Sequence, residues 1–167
     1  MAKPGIVIEI PRFRNLEIRT MVSDYTGTLS CRGKLSAGVR EQLLMLNDWI
    51  DIHVISSDSF KTAKQQLAEV PFVIFEDLSN VGGAHDLAKQ TYVEGLNARN
   101  VAAFGNGNND RLMLQAVKKA GGLAIAVDNG EGYATDASMS ADLTITGAVN
   151  ALNLLLIRNS CKATLRS

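Results

Sequence analysis

Leu16-Glu17-Ile18-Arg19-Thr20-Met21-Val22 leads directly into Ser23-Asp24-Tyr25-Thr26-Gly27-Thr28-Leu29. The first half is β-prone and largely apolar. The second carries a carboxylate and a glycine-containing turn. Together they predict a strand whose C-terminal end presents Asp24, the place where ligands bind in open α/β sheets. The backbone N–H groups of Tyr25 to Thr28 can curl around an anion there. Alone, the stretch reads more readily as a strand stopped by a locally capping aspartate. The rest of the chain decides between the two.

Upstream, Ile6 to Ile10 alternates like a strand, and Pro11 to Asn15 reads as a turn, so an antiparallel hairpin is expected with the Leu16 to Val22 strand. Downstream, Gly33 between short apolar ends predicts a small flap hairpin over Leu29 to Leu35. Ser36 is placed to cap a helix reaching about Ile50, with Val39, Leu43, Leu46 and Ile50 at helical spacing. Strands then follow at Ile52–Ile55, Phe72–Phe75, Val101–Phe104, Leu123–Val127 and Leu143–Thr146. Helices fall between them: Ser59–Glu69, Ala84–Ala98, Asp110–Ala120 with Gly121 as a stop, a short one before Ala141, and Ala148–Ile157. The tail from Arg158 is expected to be less ordered. Strands alternating with helices imply a three-layer α/β fold, a parallel sheet covered on both faces. Right-handed crossovers then bring every strand's C-terminal end to one rim.

A length of 167 residues suits one domain over 1–167, with its core from about 16 to 157. Lys plus Arg and Asp plus Glu both number 17, a formal charge of zero, which argues against binding nucleic acid through bulk charge. No apolar run is long enough to cross a bilayer. Cys31 and Cys161 lack metal or redox spacing and read as incidental thiols. The N-terminus has no signal-peptide core. A cytoplasmic protein is expected.

On the shared rim stand Asp24, the Ser56-Ser57 pair and the run Gly105-Asn106-Gly107-Asn108-Asn109-Asp110; Lys89 lies on a helix able to aim its amine inward. A carboxylate can attack phosphorus. A lysine and a hydroxyl can hold the equatorial oxygens as charge shifts. Oxygen ligands around the nucleophile can hold Mg²⁺. Each feature has a plainer reading: a solvated helix lysine, helix-capping serines, turn-forming asparagines, and an aspartate favoured by a helix dipole. His53 reads as a satisfied core residue and His85 as a surface residue opening a helix.

The order of these features resembles the haloacid dehalogenase (HAD) superfamily of phosphohydrolases over nearly the whole chain. The resemblance makes Asp24 the nucleophile. It makes Ser56, with Ser57 as its neighbour, Gly27 and Lys89 the phosphate-binding set. The metal environment is then Asp24, the Thr26 carbonyl, Asn106 and Asp110, with Mg²⁺ as cofactor. Asp24-x-Thr-Gly-Thr with the later Gly-x-Gly-x-Asn-Asp looks most like the phosphorylation domain of P-type ATPases, and so like the soluble P-type-ATPase-like phosphatases. The resemblance implies a phosphorylated small-molecule or macromolecular substrate. No insert long enough for a cap domain follows Thr28 or Phe75; capless members often oligomerise, so a homo-oligomer is expected.

Two positions depart from the family pattern. Thr26 stands where phosphatases carry a second aspartate that protonates the leaving group, and a threonine hydroxyl is too weak an acid for that. Acyl and aryl phosphates should suffer least and alkyl phosphates most, and a long-lived phosphoenzyme is expected. Asn106 replaces a metal-ligating aspartate and brings no charge, so weaker metal binding is expected. These departures motivate an alternative: a catalytically impaired HAD-like binding or regulatory module. A phosphoryl-accepting receiver domain ranks below both, because receivers carry the acceptor Asp on a later strand.

Overall fold

The computed structural model describes residues 2–57 and 61–167. Strand β1 (Ile6–Glu9) pairs antiparallel with β2 (Asn15–Ile18), Ile6 opposite Ile18, as the hairpin reading expects. Leu16 to Val22 is not one strand, however. It divides at Arg19 into β2 and β3 (Thr20–Ser23). Arg19 hands the chain over: its N–H donates to the Asn100 carbonyl at 2.8 Å, and its own carbonyl accepts from Asp51 at 3.0 Å. Burial changes character at the same point. Leu16 and Ile18 alternate with exposed neighbours, whereas all four residues of β3 are buried. That change marks the step from a two-stranded ribbon to the middle of a covered sheet.

The central sheet adds β6 (Asp51–Ser56), β7 (Ile74–Asp77), β8 (Val101–Gly105), β9 (Leu123–Asp128) and β10 (Leu143–Thr146). Its order is β10-β9-β8-β3-β6-β7, and every pairing is parallel. After β3 the chain builds outward through β6 and β7, then crosses to β8 on the other flank. The reversal between β3 and β8 is the topological switch point at which open α/β sheets bind ligands.

Side-chain size divides the two faces. Met21, Ile52, Val54, Phe104, Ile125 and Val127 meet α1 (Val39–Asn47), α6 (Ala148–Leu156) and the β1–β2 hairpin. On the other face Ala103, Ala124 and Ala126 keep the sheet surface low under α3 (His85–Gly95), α4 (Arg111–Ala120) and α5 (Thr135–Ser140). Val93, Met113, Leu114 and Val117 fill the space above them. The result is the expected three-layer α/β arrangement.

Between β3 and α1 lie the Asp24 loop and the flap, β4 (Ser30–Cys31) and β5 (Lys34–Leu35). Its two turn residues, Arg32 and Gly33, both have positive φ, 51° and 83°, as a tight two-residue hairpin requires. Ser36 does not cap α1. The helix starts after Gly38 at φ 87°, and the Ser36 hydroxyl instead accepts from the Asn129 amide at 2.7 Å. The helix expected over Ser59–Glu69 shrinks to α2 (Ala63–Gln66) and a 3₁₀ turn, Leu67–Glu69; its expected start lies outside the described residues. The tail is ordered rather than loose. Arg158–Leu165 forms α7, anchored by fully buried Cys161, and Arg158 lies 5.1 Å over the Trp49 ring. One buried thiol in a polar segment is a faint apolar signal, which is why the sequence hid this helix.

Candidate active site

β3 stops where the Asp24 N–H donates to the Phe104 carbonyl of β8 at 2.9 Å. Asp24 is thereby fixed at the switch point. The next residues wind tightly. The Tyr25 carbonyl accepts from the N–H groups of Thr28, Leu29 and Ser30 at 3.0–3.2 Å, and from the Ser30 hydroxyl at 3.0 Å. Gly27, at φ 74°, lies so close to Asn106 that a Cβ there would overlap its amide. Gly27→Ala therefore meets both a left-handed backbone and a clash. A loss of roughly 1–3 kcal/mol is expected, read by urea unfolding.

Lys89 projects from α3 into this rim and is fully buried. Its ammonium donates to Asp24 Oδ1 at 3.0 Å and to Asp110 Oδ1 at 2.7 Å. The second Asp110 oxygen accepts the N–H groups of Asn106 and Gly107 at 2.9 and 3.0 Å. Gly105 makes room for this: a Cβ there would stand 2.5 Å from the Asp110 Cβ. One buried ammonium thus serves two buried carboxylates. Burial, and then the charge of Asp110, push Asp24 up to about 7, with Lys89 pulling the other way. Burial alone would lower Lys89, but the charges of Asp110 and Asp24 outweigh it and raise it.

The remaining sequence candidates sit around this triad. Ser56 is buried at the end of β6, the strand beside β3, and half-buried Ser57 follows it. Asn106 follows β8, its side-chain oxygen 3.3 Å from the Thr28 hydroxyl and its amide nitrogen 3.3 Å from the Gly132 carbonyl. The Thr26 hydroxyl is buried with no hydrogen-bond partner among the described residues. Among the described residues, no three His, Cys, Asp or Glu side chains group to hold a metal ion. His53 is the core residue expected, 2.7 Å from the Tyr92 hydroxyl. Sequence reasoning missed Tyr25. Its buried hydroxyl donates to the Gly33 carbonyl at 2.9 Å and so ties the Asp24 loop to the flap turn. Only an aromatic residue after the aspartate could have hinted at it.

No protein-family model matches the chain. An uncharacterised protein of Methanocaldococcus jannaschii is 38% identical over 88 residues, 50% of this chain and 90% of that protein, and the two belong to one family. The cobalt-bound deoxy-D-mannose-octulosonate 8-phosphate phosphatase of Haemophilus influenzae superposes with a TM-score of 0.60 at 14% identity, covering 90% of this chain and 94% of that one. A haloacid dehalogenase-like hydrolase protein of Bacillus subtilis aligns at TM-score 0.53 and 13% identity, over 99% and 94% of the two chains. This chain has the haloacid dehalogenase fold. A further structure with the HAD fold is the 3-deoxy-D-manno-octulosonate 8-phosphate phosphatase of Moraxella catarrhalis, in complex with a magnesium ion, a phosphate ion and a KDO molecule. It gives a TM-score of 0.60 at 16% identity, covering 88% and 90% of the two chains. Within the HAD fold, the triad of this chain lies at the strand-end switch point. Among the described residues, no helix is long and apolar enough to cross a membrane.

Proposed function

We propose that the chain is a Mg²⁺-dependent phosphohydrolase or phosphotransferase acting through an aspartyl-phosphate on Asp24. The observation that carries this reading is the fully buried Lys89 bridging Asp24 and Asp110 at the rim of the parallel sheet. A buried charge is costly unless paired, and one cation between two carboxylates leaves net negative charge in a dry place. A stable core has no need of that arrangement, whereas a site that must hold and release phosphoryl charge does.

In this reading the Asp24 oxygen not bonded to Lys89 attacks phosphorus. An ammonium has three N–H groups. Two are engaged by the carboxylates; the third, with no partner among the described residues, would meet a phosphoryl oxygen. Ser56, with Ser57 beside it, and the N–H groups around Gly27 take the others. Asp110 holds the lysine in place and shapes the Asn106–Gly107 turn.

The donor set fits Mg²⁺ in kind, since all of it is hard oxygen. Asp24, the Thr26 carbonyl and the Asn106 side-chain oxygen would hold the ion directly. Both Asp110 oxygens already accept protein donors, so Asp110 would reach it through water. Bound Mg²⁺ would neutralise the repulsion between carboxylate and phosphate. With a single carboxylate in direct contact, binding is expected to be weak. Raising Mg²⁺ should lift the thermal midpoint of the native chain, less so that of Asp24→Asn, with the concentration dependence of a low-affinity site.

The testing experiment is phosphate release from acetyl phosphate. Mg²⁺-dependent turnover by the native chain is expected, and its loss in Asp24→Asn. The same Asp24-Tyr25-Thr26-Gly27-Thr28 loop supports placing the chain beside the soluble P-type-ATPase-like phosphatases. The substrate is a phosphorylated small molecule or macromolecule, reached across a rim that no cap domain covers among the described residues, and a homo-oligomer suits that openness. Both thiols are free, in keeping with a cytoplasmic setting. A binding or regulatory module is the second reading, favoured by the Thr26 hydroxyl, which has no hydrogen-bond partner among the described residues. Absence of Mg²⁺-dependent turnover from the native chain would select it.

A further inference from the structure

Transfer of a phosphoryl group from an alcohol leaves an oxygen that needs a proton. Thr26 supplies none, and its hydroxyl is buried without a partner among the described residues. Lys89 is held between two carboxylates. His85 is differently placed. It is the first residue of α3, four positions before Lys89. Residues four apart share a helix face, so His85 stands about 6 Å further along the axis toward the rim. It is half-buried, and among the described residues nothing hydrogen-bonds its ring. His53, by contrast, is engaged by Tyr92.

His85 lines a cavity of about 350 Å³ together with Asp86, Asn108, Asn109, Arg111 and Asp136. Two walls of that cavity are the segments that build the triad. One is the start of α3, which carries Lys89. The other is Asn108 to Arg111, which carries Asp110. The charged groups that line the cavity with the imidazole are Asp86 on its own helix, Arg111 on α4 and Asp136 on α5. Asp86 and Arg111 pair with each other at 3.3 Å. Amides, a guanidinium and carboxylates make a polar lining, suited to a small hydroxylated alcohol rather than an aromatic one.

We propose that this cavity receives the leaving alcohol of an alkyl phosphate and that His85 protonates its departing oxygen, the task the second carboxylate performs in the related pattern. This rests on the aspartyl-phosphate reading above. As the Asp24 oxygen bonds to phosphorus, the bond from phosphorus to the ester oxygen breaks. The imidazolium gives its proton to that oxygen, leaving a neutral alcohol and a neutral imidazole. In the second half the imidazole takes a proton from the water that attacks phosphorus. Inorganic phosphate leaves, and the Asp24 carboxylate and the imidazolium are restored.

Native chain, His85→Gln and His85→Ala are compared on glycerol phosphate and acetyl phosphate with Mg²⁺. Glycerol phosphate turnover is expected to fall by about 10²-fold or more in both variants, because a positioned acid contributes on that scale. Phosphoenzyme formation from acetyl phosphate, whose leaving group needs no proton, should fall only a few-fold. Its steady-state level should rise, because the water-activating base is gone. Added imidazole should restore glycerol phosphate turnover to His85→Ala. An equal fall on both substrates, no fall on either, or a native chain that is phosphorylated by acetyl phosphate yet leaves glycerol phosphate untouched would overturn the role of His85. A native chain that acetyl phosphate does not phosphorylate would instead overturn the aspartyl-phosphate reading itself.

Discussion

Lys89→Met is expected to abolish turnover and to remove roughly 3–5 kcal/mol of stability near pH 8, the usual cost of stripping one partner from a buried ionic group. Methionine matches the length of the lysine stem, so the loss would not be one of packing volume. Asp24 and Asp110 would then lie buried together without the cation that separates them. Two carboxylates sharing one site cannot both ionise cheaply. The deficit should therefore shrink on acidification, as one carboxyl takes up a proton. Urea unfolding at pH 8 and pH 5 reads this directly. A deficit of the same size at both values would mean that Lys89 contributes packing rather than charge. Lys89→Arg should not rescue activity, because the guanidinium is wider than the fully buried slot that the ammonium fills.

Asp24→Asn should have opposite effects on activity and stability. Turnover is expected to drop by roughly 10³-fold or more, since an amide cannot form the acyl-phosphate bond. Stability without Mg²⁺ should rise. Asp24 is held at about 7 in the folded chain, above its ordinary 3.8. Between those values the folded state keeps a proton that the unfolded chain releases. The associated stability is complete below the lower value and is lost as pH rises through the upper one. At pH 8 the native chain then carries a penalty on the order of a few kcal/mol that the Asp24→Asn variant escapes. The two unfolding free energies should converge toward pH 4 and separate by pH 8. His53, lowered chiefly by burial with Asp51 opposing, works in the other direction as pH falls. It is common to both chains, so it cancels in the difference. A difference that does not change with pH would contradict the buried, raised carboxyl.

Much of the site was legible because parallel α/β architecture converts sequence order into position. A polar residue ending each apolar strand must reach the same rim, so Asp24, Ser56 and Asn106 could be grouped before any contact was known. The partner that completes the triad was less legible. Asp110 could be read as a metal-site or helix-start residue, but its grip on Lys89 depends on how α3 packs against α4, which no local pattern encodes. The same holds for Tyr25. Its bond to the Gly33 carbonyl exists only because the flap folds back over the loop. In the fold, the break at Arg19 was hidden because β2 and β3 are equally β-prone; only the exposure of Glu17 and Arg19, set against the burial of Thr20 and Val22, separates them. Helix α7 was hidden for lack of apolar residues. Asp142, which precedes β10 at the opposite end of the parallel strands from this rim, is a structural carboxylate: its Oδ2 accepts from Arg14 at 2.6 Å and from the Ala124 N–H at 2.9 Å.

The central claim is that Asp24 accepts a phosphoryl group. The most direct measurement is the intact mass of the chain, acid-quenched after incubation with acetyl phosphate and Mg²⁺, for the native protein and for Asp24→Asn. One added phosphoryl group on the native chain, absent from the variant and absent without Mg²⁺, is the predicted result. An unmodified native chain with the acetyl phosphate unconsumed, or an adduct that persists in Asp24→Asn, would contradict it.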